Sequence, residues 1–108
     1  MRSWKVLLTV PVVSMLLAAP AAADPDTDFA AELHTYGIYG QRDYNAWIGK
    51  ITCKRADRGI DKDANASAVF VHNNLAPGTT TEQAWQFLAA AVRTYCPEQF
   101  ARITDAAR

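Results

Sequence analysis

The feature that most restricts the fold of this chain is a helical apolar run, residues 84–97, that ends at one of only two cysteines. The other cysteine is Cys53, so a single disulfide pairing is available. A bond from Cys53 to Cys96 would close a loop of about 44 residues, and the chain-entropy estimate for such a loop is roughly 4 kcal/mol of stability. We therefore expect this run to form one half of a disulfide clamp if the chain folds in an oxidising compartment.

The first 23 residues have the layout of a secretory signal peptide. A short basic start with Arg2 and Lys5 precedes an apolar run over residues 6–17, and small residues then lead to Ala23. The apolar run is about a dozen residues long, short of the roughly 20 that a membrane-spanning helix needs. We expect cleavage after Ala23, a secreted or extracytoplasmic location, and a single domain over residues 24–108 without a membrane span.

The composition of the mature chain narrows its classes of partner. Without residues 1–23, 85 residues remain, and their 9 basic and 11 acidic side chains give a net charge of −2. This balance argues against nucleic acid or an anionic membrane as a general partner. A domain of this size buries a limited fraction of its surface, so a covalent cross-link would support its stability.

Apolar periodicity predicts a short first helix. Phe29, Leu33 and Tyr36 fall on one face of it. Asp26 or Asp28 is expected to cap its start, and the glycine at position 37 to end it in a left-handed conformation.

A second helix is predicted from an Asp43 N-cap to about Arg58. Small residues recur inside it at steps of three and four, and they are Ala46, Gly49, Cys53 and Ala56. Such a seam would let a neighbouring helix approach closely.

A third helix is predicted over residues 64–75, opened by Asp61 or Asp63. Residues 68–71 alone are also compatible with a strand, but no alternating segment elsewhere in the mature chain could pair with them.

The last long helix begins at a capping box headed by Thr79 or Thr80. Pro97 ends it at the cysteine, and residues 98–106 are expected to add a short helix. Together these patterns predict an all-α fold, a small compact bundle of three to four helices stapled by one disulfide.

The mature chain lacks a recognisable set of catalytic or metal-binding residues. His34 and His72 are its only histidines, and neither has a carboxylate or cysteine at ligand spacing. Ser67 is its only serine and is not in a nucleophile-elbow motif. We predict no catalytic residue, no metal and no cofactor, and expect that the protein is not an enzyme.

Aromatic residues are numerous, and most are expected to fill the core. Tyr39, Tyr44 and Trp47 lie near the first connector and are candidates for an exposed patch or a pocket mouth. His34 and Tyr36 are close enough in sequence to be considered as haem ligands, although ordinary packing explains them better.

A set of positions along the whole mature chain carries a more specific signal: Phe29, Leu33, Gly37, Ile38, Ala46, Gly49, Cys53, Gly59, Ala84, Phe87, Tyr95, Cys96 and Pro97. In this order and spacing the chain resembles the small secreted mycobacterial family catalogued as domain of unknown function 732, and its Tyr-Cys-Pro ending is the most specific part. The resemblance implies an exported helical domain with one disulfide, here Cys53 to Cys96, and no assigned activity. Ala30 stands where the family often has a second aliphatic residue, so local packing is expected to differ.

The sequence favours a secreted, non-enzymatic helical module that binds a protein or another envelope component at or outside the cell envelope. The alternative is a small-molecule carrier for an apolar ligand or haem. A carrier predicts an internal cavity above about 300 Å³, lined by Trp47, Phe70 or Trp85.

Overall fold

The computed structural model describes residues 24–101 and Ile103. Within them the chain forms four α-helices and one turn of 3₁₀-helix, and no strand. The elements are α1, Pro25–Thr35; α2, Arg42–Asp57; α3, Ala64–Asn74; α4, Thr81–Tyr95; and the 3₁₀ turn, Pro97–Gln99. The predicted all-α fold class is confirmed. No helix in this described part is long and apolar enough to span a membrane.

Two sequence predictions fall wholly or partly outside the described residues. The predicted signal peptide, residues 1–23, is one of them. The other is the short C-terminal helix over residues 98–106, of which residues 102 and 104–106 are not described. Of its described positions, 98 and 99 belong to the 3₁₀ turn, whereas 100, 101 and 103 are helical, and Ile103 is buried.

The N-terminus of α1 differs from the sequence prediction by a few residues. Asp24 is the cap, and its Oδ1 accepts a hydrogen bond from the N–H of Asp26 at 3.4 Å. Pro25 occupies the first helical position, where its fixed backbone angle suits a helix start. Asp26 and Asp28 therefore lie inside the first turn and complement the helix dipole, so the prediction that one of them is the cap is wrong.

The C-terminus of α1 follows the prediction. Gly37 has a φ of +78°, the left-handed conformation that glycine adopts without steric cost. The N–H of Ile38 donates to the carbonyl of Leu33 at 3.0 Å, and the N–H of Gly37 donates to that of His34, also at 3.0 Å. These two bonds form a Schellman motif, and Ile38 is buried beside it.

The start of α2 corrects a further prediction. Gln41 is at the N-cap position without a side-chain capping bond, and Asp43 lies inside the first turn. The guanidinium of Arg42 pairs with Asp43 at 2.8 Å and with Asp24 at 2.7 Å. The carbonyl of Gln41 accepts from the N–H of Asn45 at 3.1 Å, so the helix already begins at Arg42. Asp43 complements the helix dipole from inside the first turn, and the prediction of Asp43 as N-cap is wrong.

Gly49 confirms the predicted close approach along the seam of small residues on α2. A Cβ atom at this position would lie 3.0 Å from Cε2 of Tyr95 and 3.2 Å from the ring of Phe29. The ring of Phe29 packs edge-on against Phe87 and against Tyr95, each at 5.2 Å between centroids. The seam therefore receives aromatic rings from α1 and α4.

For α3 and α4, the structure shows which of the two N-cap residues suggested by the sequence is the cap. Asp63 caps α3, since its Oδ1 accepts from the N–H of Ala66 at 2.9 Å. Thr80 and Gln83 form the capping box of α4. Both caps lie just before apolar faces that are buried in the bundle.

The predicted disulfide between Cys53 and Cys96 is present, with 5.9 Å between the two Cα atoms. It joins the later part of α2 to the residue that follows α4, where Pro97 opens the 3₁₀ turn. The buried side chains of one core cluster surround it: Ala64, Ala68, Leu88, Val92 and Ile103. We call these residues and the two cysteines the disulfide region.

Candidate functional site

An open groove of about 610 Å³ lies between the connector from α1 to α2 and the connector from α3 to α4. Residues 37–40 and 74–79 line it from the two connectors. Tyr44 and Asn45 from the start of α2 and Gln83 from the first turn of α4 complete the lining. We call this feature the connector groove.

Gln83 ties the two connectors together. Its Oε1 accepts from the N–H of Thr80 at 2.9 Å, and its Nε2 donates to the carbonyl of Tyr36 at 3.0 Å. The first bond belongs to the capping box that the sequence predicted, whereas the second joins residues 47 positions apart. One side chain thus fixes the spacing of the groove walls.

Tyr44 links α2 to the end of α3. Its hydroxyl donates to the carbonyl of Asn74 at 2.7 Å, and Nδ2 of Asn74 donates to the carbonyl of Phe70 at 2.8 Å. Trp47 contacts the ring of Tyr44 edge-on, with 6.1 Å between centroids. Trp47 is 57% exposed and does not line the groove, so it supports Tyr44 from outside.

Tyr39 is the more exposed of the two aromatic residues in the groove lining. Its side chain is 67% exposed. The ring lies 5.1 Å from the imidazole of His34, tilted by 54°, and this contact limits its orientation. Of the three aromatic residues that the sequence indicated, the structure brings Tyr39 and Tyr44 into one groove and places Trp47 beside it.

Asn45 is a buried polar residue in the lining that the sequence analysis missed. Only 4% of it is exposed. Its Nδ2 donates to the carbonyl of Tyr39 at 3.4 Å, while its Oδ1 has no hydrogen-bond partner among the residues that the structure describes. A signal for it existed, because Asn45, Ile48, Gly49 and Thr52 recur at helical spacing on one buried face. A polar residue in such a series indicates either internal pairing or a ligand contact.

The connector groove is uncharged. Among the residues that the structure describes, glycine, asparagine, glutamine, threonine, tyrosine and aliphatic residues make up its lining, without an acidic, basic, histidine or cysteine side chain. The hydroxyl of Thr79, the one aliphatic hydroxyl in the lining, donates to the carbonyl of Ala76 at 2.6 Å. This arrangement offers aromatic surface and hydrogen bonds, but no pair of groups suited to nucleophilic or acid–base chemistry.

A second, smaller pocket of about 220 Å³ lies between α3 and the start of α4. Trp85 lines it, together with exposed Val69 and with His72. Phe70 lies instead under the guanidinium of Arg55, at 4.3 Å. The pocket that contains Trp85 is smaller than the roughly 300 Å³ at which small-molecule sites begin.

The two residues weighed as haem ligands have other contacts. The Tyr36 hydroxyl donates to Oε2 of Glu32 at 2.6 Å, and this bond raises the pKa of Tyr36 above its ordinary value. Arg93 pairs with the same carboxylate. His34 packs on Tyr39, and neither His34 nor Tyr36 lines the two pockets described above.

A polar cluster at the start of α1 stabilises the bundle away from the groove. The Tyr95 hydroxyl donates to Oδ1 of Asp26 at 2.7 Å, and Nζ of Lys50 lies 3.2 Å from Oδ2. The bond from Tyr95 and the charge of Lys50 lower the pKa of Asp26 below its ordinary value. Burial and the hydrogen bond to Asp26 raise the pKa of Tyr95. The cluster joins α1, α2 and α4.

Comparison with known proteins supports the resemblance noted in the sequence. The model of the family described as "Protein of unknown function (DUF732)" matches residues 25–98. The chain is 52% identical, over 94 residues, to the uncharacterized protein Rv0559c of Mycobacterium tuberculosis strain H37Rv and to the uncharacterized protein MT0585 of strain CDC 1551. These matches cover 86% of this chain and 84% of each relative. No solved structure matches significantly.

Proposed function

The chain belongs to the DUF732 family of proteins of unknown function, and we propose that it is an exported, non-enzymatic module that binds a component at or outside the cell envelope. The connector groove is its binding site. The observation that carries this proposal is Oδ1 of buried Asn45, which has no hydrogen-bond partner among the described residues and belongs to the lining of an open groove whose described residues are uncharged. Buried polar atoms are normally hydrogen-bonded, so this atom is best explained by a bound water or ligand.

Export is supported by the leader and by the cysteines. Residues 1–23 have the organisation of a cleavable signal peptide. Cleavage after Ala23 would leave Asp24, the cap of α1 and the partner of Arg42, in the mature chain. A disulfide between Cys53 and Cys96 also suits an oxidising compartment.

A non-enzymatic role is supported by the chemistry of the groove. Its lining provides hydrogen-bonding and aromatic side chains, whereas catalysis requires a nucleophile or an acid–base pair in the same cavity. The groove walls are held by Gln83 and by the bond from Tyr44 to Asn74. A preformed, fixed groove reduces the entropic cost of binding.

The location is tested by producing the full-length chain with a C-terminal tag in a mycobacterial host. We expect the tagged protein in the culture medium or the envelope fraction, with an intact mass that begins at Asp24. A cytosolic protein that retains residues 1–23 would contradict the proposal.

The binding site is tested with the processed protein and a washed envelope fraction from the same host. We expect saturable binding that Tyr39→Ala weakens at least tenfold, because this change removes the more exposed aromatic ring of the lining residues. Ile60→Ala is the matched control, since Ile60 is 57% exposed and lines neither described pocket. Equal loss in both variants, or no binding by the wild type, would overturn the proposal.

A further inference from the structure

We propose that the connector groove binds an uncharged carbohydrate segment, with Asn45 and Tyr39 as the two residues that recognise it. This inference rests on the proposed function, because it names the class of ligand for the same groove. The juxtaposition that carries it lies in one lining: the amide oxygen of buried Asn45, which has no partner in the described part of the chain, and the exposed residue Tyr39, with no charged side chain among the described lining residues.

The absence of charge from the lining selects an uncharged ligand. An anionic or cationic group bound against Asn45 would lose part of its hydration without gaining a counter-charge from the described lining residues. Burial of an unpaired charge is strongly unfavourable. Phosphorylated, carboxylated and amine-bearing ligands are therefore disfavoured relative to neutral ones.

The polar groups of the groove lining favour a ligand that both donates and accepts hydrogen bonds. Oδ1 of Asn45 requires a donor. The backbone N–H groups of Gly40 and Gly78, two further lining residues, are exposed, form no hydrogen bond within the described residues and are available to acceptors. A hydroxyl group serves as donor and acceptor at once. A ligand with several hydroxyls can satisfy such a mixed set without a change in the groove.

The aromatic wall fits the shape of a sugar ring. A pyranose or furanose presents C–H groups on its faces and hydroxyls at its edges. The ring of Tyr39 is largely exposed and is oriented by its contact with His34. An amphipathic aromatic ring can cover the apolar face of such a ligand while its hydroxyls reach polar partners.

Peptide ligands match the groove less well. The described residues form no sheet edge to which an extended peptide could add as a strand. A proline-rich segment docks in aromatic grooves, but proline has no N–H to donate to Oδ1 of Asn45. An amphipathic helix would require a continuous apolar groove, whereas asparagine, glutamine and threonine interrupt this one.

The inference is tested by calorimetric titration of the processed protein with defined probes. The probes are neutral tetrasaccharides of glucose, mannose, galactose and arabinose, a tetrasaccharide of a hexuronic acid, and a proline-rich decapeptide. We expect saturable binding of at least one neutral tetrasaccharide and at least tenfold weaker binding of the acidic tetrasaccharide and the peptide.

Variants locate the interaction. Tyr39→Ala and Asn45→Ala are each expected to weaken binding of the neutral tetrasaccharide at least tenfold, and Ile60→Ala less than twofold. Because Asn45 is buried, the melting temperature of each variant is measured in parallel. Tyr39 is exposed, so its variant keeps the test decisive if Asn45→Ala does not fold.

The outcomes separate this inference from the proposed function. If the protein binds the envelope through Tyr39 but binds only the acidic tetrasaccharide or the peptide, or none of the probes, the inference of an uncharged carbohydrate is wrong and the proposed function stands. If neither the envelope nor any probe is bound through Tyr39, the inference of an uncharged carbohydrate and the proposed function are both wrong.

Discussion

The disulfide region and the connector groove are built on opposite principles. Around Cys53 and Cys96 the side chains are apolar and buried, and the chain is covalently closed. In the groove the lining is polar, open and uncharged, and the buried oxygen of Asn45 has no partner among the described residues. A small domain needs the first kind of region to offset the conformational entropy lost on folding. The second kind contributes less to stability and is the natural place for a ligand.

The largest effect is expected when the disulfide is removed. The double variant Cys53→Ser with Cys96→Ser should lower the free energy of unfolding by about 4 kcal/mol, because the unfolded chain regains the freedom of the closed loop. This corresponds to a drop of roughly 15–30 °C in melting temperature for a domain of this size. Urea denaturation with and without a reductant measures it. If the variant is as stable as the oxidised wild type, the disulfide region does not hold the fold.

Tyr95→Phe should lower the free energy of unfolding by about 1–2 kcal/mol at pH 7, because the hydroxyl donates to a charged carboxylate. Thermal denaturation of the variant beside Ile60→Ala measures this loss. If Tyr95→Phe lowered the free energy of unfolding less than Ile60→Ala does, the polar cluster at Asp26 would not be a source of stability.

Tyr95→Phe should also change how the stability of the protein depends on pH. The pKa of Asp26 in the folded protein lies below its ordinary value of 3.8. The stability that the Asp26 carboxylate contributes is therefore complete above about pH 4, and it is lost as the pH falls through the pKa of the folded state. Tyr95→Phe should reduce this acid dependence. The pH dependence from Tyr95 has the opposite sign. The pKa of Tyr95 is raised above 10.0, so its neutral hydroxyl stabilises the folded protein below pH 10, and this stabilisation is lost at higher pH. Melting temperatures of the wild type and of Tyr95→Phe between pH 2.5 and 7 test the dependence on Asp26. If the two proteins showed the same change of melting temperature with pH, this prediction would be contradicted.

Gly49→Ala should lower the free energy of unfolding by about 1 kcal/mol. The added methyl group meets two aromatic rings at 3.0–3.2 Å, and the cost of overpacking exceeds the gain of about 1 kcal/mol in helix propensity. Ala66→Gly is a useful reference, since Ala66 lies on α3 and is half-buried. A Gly49→Ala variant that is more stable than wild type would show that the rings can move.

The smallest effect on stability is expected for Asn45→Ala, with a change below about 1 kcal/mol in the free energy of unfolding. The change removes one long hydrogen bond and also a buried oxygen that has no partner within the described residues, and these two consequences have opposite effects on stability. Ligand binding should nevertheless fall at least tenfold. A large loss of stability with unchanged binding would reverse the roles that we assign to the two regions.

Local patterns in the sequence predicted most of the fold because caps and apolar periodicity act over a few residues. The capping box at Thr80, the left-handed stop at Gly37 and the small residue at Gly49 are examples. The start of α1 differs from the prediction although Asp24 followed by Pro25 is a local start signal. At the start of α2, Arg42 pairs with Asp24, 18 positions away. The sequence alone offered no way to see that pair.

The groove was harder to predict than the fold. Tyr39 and Tyr44 were indicated by their chemistry and by their position near a connector. The second wall, residues 74–79, meets the first only through tertiary contacts such as Gln83 to Tyr36. The amide of Asn45 could be recognised as a buried polar group only with the burial pattern of α2 established.

The central claim is that the connector groove binds while the disulfide region holds the fold. Backbone amide chemical-shift mapping tests it most directly, with ¹⁵N-labelled processed protein titrated with the neutral tetrasaccharide that binds in calorimetry. The account predicts shifts concentrated at Tyr39, Gly40, Asn45 and Gly78, with residues around Cys53 and Cys96 unchanged. Shifts concentrated in the disulfide region, or at the pocket that contains Trp85, would contradict it.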